Sequence, residues 1–95
     1  MLKCADPLAW TIEYTRSAER ALRRIDRTWQ RRIIDHMDNE IALLDDPRVR
    51  GKALTGDLGG FWRFRVGDYR IICSIEETVQ VIIVLKVGHR RDVYE

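Results

Sequence analysis

The stretch Trp62-Arg63-Phe64-Arg65-Val66-Gly67-Asp68-Tyr69-Arg70 decides the fold of the second half of this chain. Bulky apolar residues alternate with arginines up to a Gly-Asp pair. Such a pair favours a two-residue turn, because both residue types accept positive φ. The alternation resumes beyond the turn, so we predict an antiparallel β-hairpin.

A two-residue turn also predicts the register of this hairpin. Its cross-strand pairs are Val66 with Tyr69, Arg65 with Arg70, Phe64 with Ile71, and Trp62 with Cys73. Alternation then directs the apolar members to one face, which helices can cover, and directs Arg63, Arg65, Arg70 and Ile72 to the other. Like charges opposite each other are unfavourable. Guanidinium groups bind phosphate through a fixed fork of donors, so the arginines are either solvated surface charge or an anion site.

The first half of the chain reads as a strand followed by two helices. Trp10–Tyr14 alternates like a strand, and Thr15 or Ser17 can cap a helix that runs to about Ile25. Asp26 and Thr28 offer caps for a second helix that ends before Pro47. One face of this long helix carries Trp29, Ile33, Met37, Ile41 and Leu44.

The second half reads as a loop and three strands. The loop spans 47–60, and the strands span 61–66, 69–75 and 79–87. The last strand is apolar on both faces and should be central. The order β-α-α-β-β-β predicts an α+β fold in which a helical hairpin packs on an antiparallel sheet.

Length and composition favour one domain over residues 1–95, with residues 1–9 as an N-terminal extension. The net charge is only +2, but residues 47–95 contain nine Lys/Arg against six Asp/Glu, which points to a polyanionic partner. The two cysteines form no disulfide framework, and Cys73 reads as a buried thiol. No cofactor or metal is expected, because no Cys/His cluster has zinc spacing. Neither a signal peptide nor a membrane span is apparent, so we expect a cytoplasmic protein.

Two further groups of basic residues surround this hairpin in the sequence. The helices carry Arg20, Arg23, Arg24, Arg27, Arg31 and Arg32, which form either a solvated surface or a nucleic-acid contact. Lys86 lies near the end of the last strand, and Gly88–Tyr94 closes the chain. A tail folded beside the hairpin would add His89, Arg90 and Tyr94 to the arginines. That set suits phosphoryl chemistry on RNA, with a ring able to stack on a base.

Three segments resemble the RelE/ParE superfamily of bacterial toxins: 51–56 (GKALTG), 60–72 (GFWRFRVGDYRII) and 87–94 (VGHRRDVY). The resemblance extends over almost the whole chain from Trp10. It implies the RelE-like fold and a type II toxin that a cognate antitoxin holds inactive. In the RelE branch, it implies a ribosome-dependent endonuclease that cuts mRNA in the A site. There the ribose 2′-OH attacks the adjacent phosphate and leaves a cyclic phosphate and a 5′-OH.

The resemblance also implies the site residues. The basic residues before the turn match Arg63 and Arg65, and the arginine after it matches Arg70. The tail residues match Arg90 and Tyr94. We add Lys52, Lys86 and Arg91 as RNA-binding residues and His89 as a candidate acid or base.

The chain departs from its best-known relatives, which have lysines at the positions of Arg63 and Arg65. Arginine stays protonated and is no general base, so these arginines would hold the phosphate and stabilise its developing charge. Proton transfer would then use Tyr94, His89 or ribosomal RNA.

The implied partners are the antitoxin, the ribosome and mRNA, with no membrane. The toxin–antitoxin hetero-oligomer would bind its own operator DNA through the antitoxin. Ile72, with Ile82 or Val84, would make the arginine-bearing face partly apolar and suited to an amphipathic, partly acidic antitoxin segment. Two alternatives stay open: a ParE-like gyrase inhibitor without nuclease activity, and an inactive module that binds RNA or antitoxin.

Overall fold

The computed structural model describes residues 9–89 and confirms the α+β class. Two helices pack on one face of a five-stranded sheet. The elements are β1 (Thr11–Tyr14), α1 (Arg16–Arg23), α2 (Arg27–Asn39), β2 (Lys52–Ala53), β3 (Trp62–Val66), β4 (Tyr69–Glu76) and β5 (Val81–His89). Short 3-10 turns occupy Ile41–Leu43, Pro47–Val49 and Gly56–Leu58.

The sheet has the strand order β1-β5-β4-β3-β2 and is mixed. Strand β5 has neighbours on both sides, as predicted from its apolar sequence. The prediction of an antiparallel sheet is wrong for one pair, because β1 runs parallel to β5. No hairpin joins these two strands. The long path through the helices and strands β2 to β4 sets their relative direction, and local patterning cannot indicate it.

Side chains at the two predicted capping sites begin the helices. Thr15 Oγ1 accepts a hydrogen bond from the Ala18 backbone N–H at 3.1 Å. Asp26 Oδ2 accepts one from the Thr28 backbone N–H at 3.1 Å. Each bond satisfies an N–H group that has no partner within its helix.

The second helix is shorter than predicted. It ends at Asn39, and Glu40 leaves helical geometry with φ −122° and ψ −60°. The chain continues as the 3-10 turn Ile41–Leu43, whose Ala42 carbonyl accepts a 2.8 Å bond from the Trp10 backbone N–H. Ile41 therefore reaches the core as its spacing predicts, but in a tighter turn that is bonded to the start of β1.

The predicted loop 47–60 contains an edge strand. In β2, Lys52 pairs with Arg63 and Ala53 pairs with Trp62. Two residues carry too little alternation to indicate a strand. The pairing extends the sheet by one strand beyond the hairpin.

The core lies between the helices and the sheet. Every apolar residue that the hairpin register directs toward the helices belongs to it or packs against it. Ile82 and Val84 are fully buried in this core. The prediction of Ile82 or Val84 on the arginine-bearing face is therefore wrong. The described part of the chain contains no helix long and apolar enough to cross a membrane.

Candidate functional site

The hairpin formed by β3 and β4 has the predicted register in full. Val66 lies opposite Tyr69, and Arg65 lies opposite Arg70. Gly67 has φ +59°, whereas Asp68 is not in the positive-φ region. Positive φ at the first central position alone is the pattern of a type II′ turn, which matches the twist of the flanking strands.

Trp29 of α2 packs directly on this turn. A Cβ atom added to Gly67 would lie 2.4 Å from the Trp29 ring, so no other residue fits there without displacement. The Trp29 ring also lies 5.5 Å from the Tyr69 ring, between ring centroids. The Arg32 guanidinium covers it at 4.9 Å from the centroid. The start of β4 is thus held against α2. The sequence places Trp29 only on the apolar face of the long helix, and the Gly-Asp turn is the one signal of a close approach.

The sheet face away from the helices carries two rows of basic residues. One row crosses four strands as Lys52, Arg63, Ile72 and Lys86. The next row consists of Arg65, Arg70 and Gly88. We call Lys52, Arg63, Arg65, Arg70 and Lys86 the arginine face. Register thus brings together the five lysines and arginines within 9–89 that were predicted as catalytic or RNA-binding residues.

Burial differs sharply between the paired arginines. Arg65 is exposed, whereas Arg70 is only 8% exposed and is the one charged residue classed as buried within residues 9–89. Burying a permanent charge costs free energy unless nearby groups compensate. The hairpin thus places a buried cation directly beside an exposed one on the same face of the sheet.

Ile72 is the one apolar member of these rows in the described structure and is 1% exposed. It lies between Arg63 and Lys86 in register, and the aliphatic stems of such side chains can cover a neighbouring apolar group. The arginine face is therefore less apolar than the sequence indicated.

His89 does not lie on the arginine face. Its Cα partner is Tyr69, whose side chain points toward the helices. The two rings meet edge-on with centroids 5.7 Å apart. His89 and Arg70 are therefore on opposite sides of the sheet, which disfavours His89 as the acid or base for a phosphate bound by Arg70.

Two other groups that could move protons also lie on the helix side. Burial raises the pKa of the Tyr14 phenol, and the negative charge of Asp38 raises it further. Burial likewise raises the pKa of the Cys73 thiol. Both groups stay protonated near neutral pH, so neither supplies a base or nucleophile.

Arg90, Arg91 and Tyr94 lie outside the described residues. Within 9–89, no group of three or more His, Cys, Asp or Glu side chains could hold a metal ion. The predicted helix arginines are exposed on the far side of the molecule from the arginine face. The described site is thus a set of cations without a base.

The chain is similar to known toxins in sequence and fold. A family model described as the ParE toxin of the type II toxin-antitoxin system parDE matches residues 12–94. Toxin RelG of Mycobacterium tuberculosis is 25% identical over 87 residues, which cover 92% of this chain and 98% of RelG.

Three solved structures share the fold. A chain of the M. tuberculosis RelBE2 toxin-antitoxin complex matches with a TM-score of 0.80 and 24% identity, covering 92% of this chain and 98% of the other. The Pyrococcus horikoshii RelE-RelB complex gives 0.68 and 27%, covering 90% and 99%. The isolated RelE toxin of Escherichia coli gives 0.67 and 17%, covering 85% and 84%.

Proposed function

The chain belongs to the ParE toxin family of type II toxin–antitoxin systems, and we propose that it acts as a ribosome-dependent mRNA endonuclease of the RelE type. One observation carries the proposal: Arg65 and Arg70 are direct cross-strand neighbours, with Arg70 buried. Two guanidinium groups on paired strands can donate together to one phosphate group. The similarity to Toxin RelG and to the P. horikoshii RelE structure favours the RelE branch of the superfamily.

In the proposed reaction, the 2′-oxygen of the ribose forms a bond to the adjacent phosphorus, and the bond from phosphorus to the 5′-oxygen breaks. The products are a cyclic phosphate and a 5′-OH. The 2′-OH loses a proton, and the leaving oxygen gains one. Arg65 and Arg70 stabilise the charge that develops on the phosphate oxygens, and Arg63 extends their contact along the strand.

Proton transfer falls to a group beyond the described arginine face. Arginine remains protonated, and His89 lies across the sheet. We propose Tyr94, aided by Arg90, or ribosomal RNA for this role. Lys52, Lys86 and Arg91 would bind the flanking RNA backbone. The lack of a base on the described arginine face motivates the proposed dependence on the ribosome.

The proposal is tested by offering the purified toxin three substrates: mRNA on programmed ribosomes, the same mRNA alone, and relaxed plasmid DNA with gyrase. We expect cleavage on ribosomes only. Arg65→Ala should slow single-turnover cleavage about 10- to 100-fold, because one charge-assisted contact is lost. The matched control Arg16→Ala removes an exposed arginine on α1 and should leave the rate unchanged. Efficient cleavage of naked RNA, or an unchanged rate in Arg65→Ala, would contradict the proposal.

The alternative function is gyrase inhibition, which the ParE description of the family model favours. It predicts intact mRNA on ribosomes and loss of supercoiling activity in the same experiment. Cut mRNA on ribosomes and loss of DNA supercoiling therefore distinguish the two candidate functions.

We also propose an antitoxin partner, because the solved relatives include toxin-antitoxin complexes. A partly acidic antitoxin segment would cover the arginine face and block the phosphate site, and the complex would bind operator DNA through the antitoxin. Arg65→Ala should then weaken antitoxin binding as well as cleavage. A complex that leaves Arg65 solvent-accessible would contradict this steric account.

A further inference from the structure

A groove of about 460 Å³ lies on the helix side of the sheet, behind the arginine face. We call it the ring groove, and its walls include Ala21, Arg24, Ile25, Tyr69, Val87 and His89. Its volume is in the range of ligand pockets in proteins. The groove is separate from the phosphate site proposed above, because its side chains point away from Arg65 and Arg70.

The aromatic lining of the ring groove is suited to a flat ring. Tyr69 and His89 are each partly exposed and meet edge-on at 5.7 Å. In an edge-on pair, one ring presents its edge to the other, so its own face points elsewhere. Ala21, Ile25 and Val87 supply apolar surface around the rings. Single-stranded RNA is bound in this way, with unstacked bases placed on aromatic rings.

Charge around the ring groove favours an anionic ligand. Arg24 lines the groove, and Arg32 covers the Trp29 ring beside Tyr69. The acidic residue in the lining, Asp26, has its carboxylate bonded to the α2 N-terminus. A ligand with both a base and a phosphate would match this lining.

The topology gives RNA a path between the two sites. Tyr69 and Arg70 are successive residues of β4 and point to opposite faces, and their β5 partners are His89 and Gly88. Strand β1 pairs with β5 only as far as Val84. The Thr15 hydroxyl bonds the Leu85 carbonyl, so residues 86–89 form an edge of the described sheet. An RNA strand that passes around this edge would run from the arginine face to the groove.

We propose that the ring groove binds one unstacked nucleotide of single-stranded RNA, next to the segment held on the arginine face. The base packs against Tyr69 and His89, and the Arg24 guanidinium contacts the phosphate. This inference rests on the proposed RNA substrate, but it concerns binding rather than cleavage.

The test measures binding of a short 2′-O-methyl oligoribonucleotide to the purified toxin. The methyl group blocks the attacking oxygen, so the dissociation constant is independent of cleavage. Arg24→Ala and His89→Ala should each weaken binding about 5- to 100-fold. The matched controls are Arg23→Ala, an adjacent exposed arginine outside the groove, and His36→Ala, the other histidine. Both should stay within about twofold of the wild type.

Ring proton resonances provide the second measurement. Stacking should shift the Tyr69 and His89 signals upfield on titration with the oligonucleotide, and Arg24→Ala should reduce these shifts. Unchanged affinity in both groove variants, or no binding by the wild type at millimolar RNA, would overturn the proposal. Normal RNA binding with lost affinity for a synthetic acidic amphipathic peptide would instead assign the groove to a protein partner. Cleavage on ribosomes could persist in each of these cases, so the proposed function is tested separately.

Discussion

The two ends of β4 differ in the burial of the charged residue that each end places on the same face of the sheet. Near its start, Arg70 is buried beside a turn that Trp29 covers. At its end, Glu76 is exposed, and its carboxylate accepts a hydrogen bond from the Ser74 hydroxyl. The following turn leaves Val79 67% exposed. The covered turn and the buried charge thus lie at the same end of β4, which is the end that carries the proposed phosphate site.

The largest expected effect is the loss of cleavage activity when Arg70, near the start of β4, is replaced. Arg70→Ala should lower single-turnover cleavage on ribosomes about 100- to 1000-fold, because it removes a fixed cation from the developing phosphate charge. Glu76→Ala, at the other end of the strand, should leave the rate unchanged. Circular dichroism and thermal unfolding of both variants would show whether they remain folded. Equal rates in a folded Arg70→Ala and in Glu76→Ala would remove the functional difference between the two ends.

The second prediction concerns the turn that Trp29 covers. Gly67→Ala adds a Cβ atom 2.4 Å from the Trp29 ring at φ +59°, and should reduce the free energy of unfolding by about 2–4 kcal/mol. Gly56→Ala is the matched control. Gly56 has φ +69°, and a Cβ atom added to it would have no neighbour within 4 Å. Gly56→Ala should therefore cost only about 1–2 kcal/mol, from the unfavourable backbone conformation.

Denaturant unfolding measures both changes. Combining Gly67→Ala with Trp29→Leu should recover part of the loss, because the smaller side chain makes room for the methyl group. Equal destabilisation by Gly67→Ala and Gly56→Ala would show that Trp29 does not constrain the turn.

A smaller effect is expected at the opposite turn. Gln80 has φ +53°, a left-handed conformation that is unfavourable for a residue with a Cβ atom. Gln80→Gly should stabilise the protein by about 0.5–1 kcal/mol, since relief of this strain outweighs the added flexibility of the unfolded chain. The denaturant midpoint should rise while cleavage stays the same. A lower midpoint would mean that the Gln80 side chain contributes more than its backbone costs.

The smallest effect is expected from the surface ion pairs near that turn. Arg48 contacts Asp46 at 2.9 Å and also bonds Glu77 of the β4–β5 turn. The side-chain and backbone hydrogen bonds from Arg48 hold the pKa of the Asp46 carboxyl below its usual value. Arg48→Ala should lower the Tm by less than about 5 °C near neutral pH.

The pH dependence of this difference checks the ion-pair account. A lowered pKa in the folded state stabilises the protein above the ordinary Asp pKa, and this contribution disappears as the pH falls through the lowered value. The Tm difference between the wild type and Arg48→Ala should therefore shrink below about pH 4. A constant difference down to low pH would indicate packing rather than charge.

The sequence by itself determined the hairpin, its register and the facing arginine pair. These follow from alternation and one two-residue turn, because contacts across a short hairpin depend on local geometry alone. The helix caps at Thr15 and Asp26 follow for the same reason.

The tertiary structure decided what depends on residues far apart in the chain. Only the packed fold makes β1 parallel to β5, ends α2 at Asn39 and places Trp29 on Gly67. It also separates His89 from Arg70. Strict alternation from the buried Val84 would place His89 on the arginine face, but the irregularity in the β4–β5 pairing between Ile72 and Cys73 moves it to the helix side. The burial of Arg70 is likewise tertiary, because desolvation of a charge depends on everything around it rather than on its neighbours in sequence.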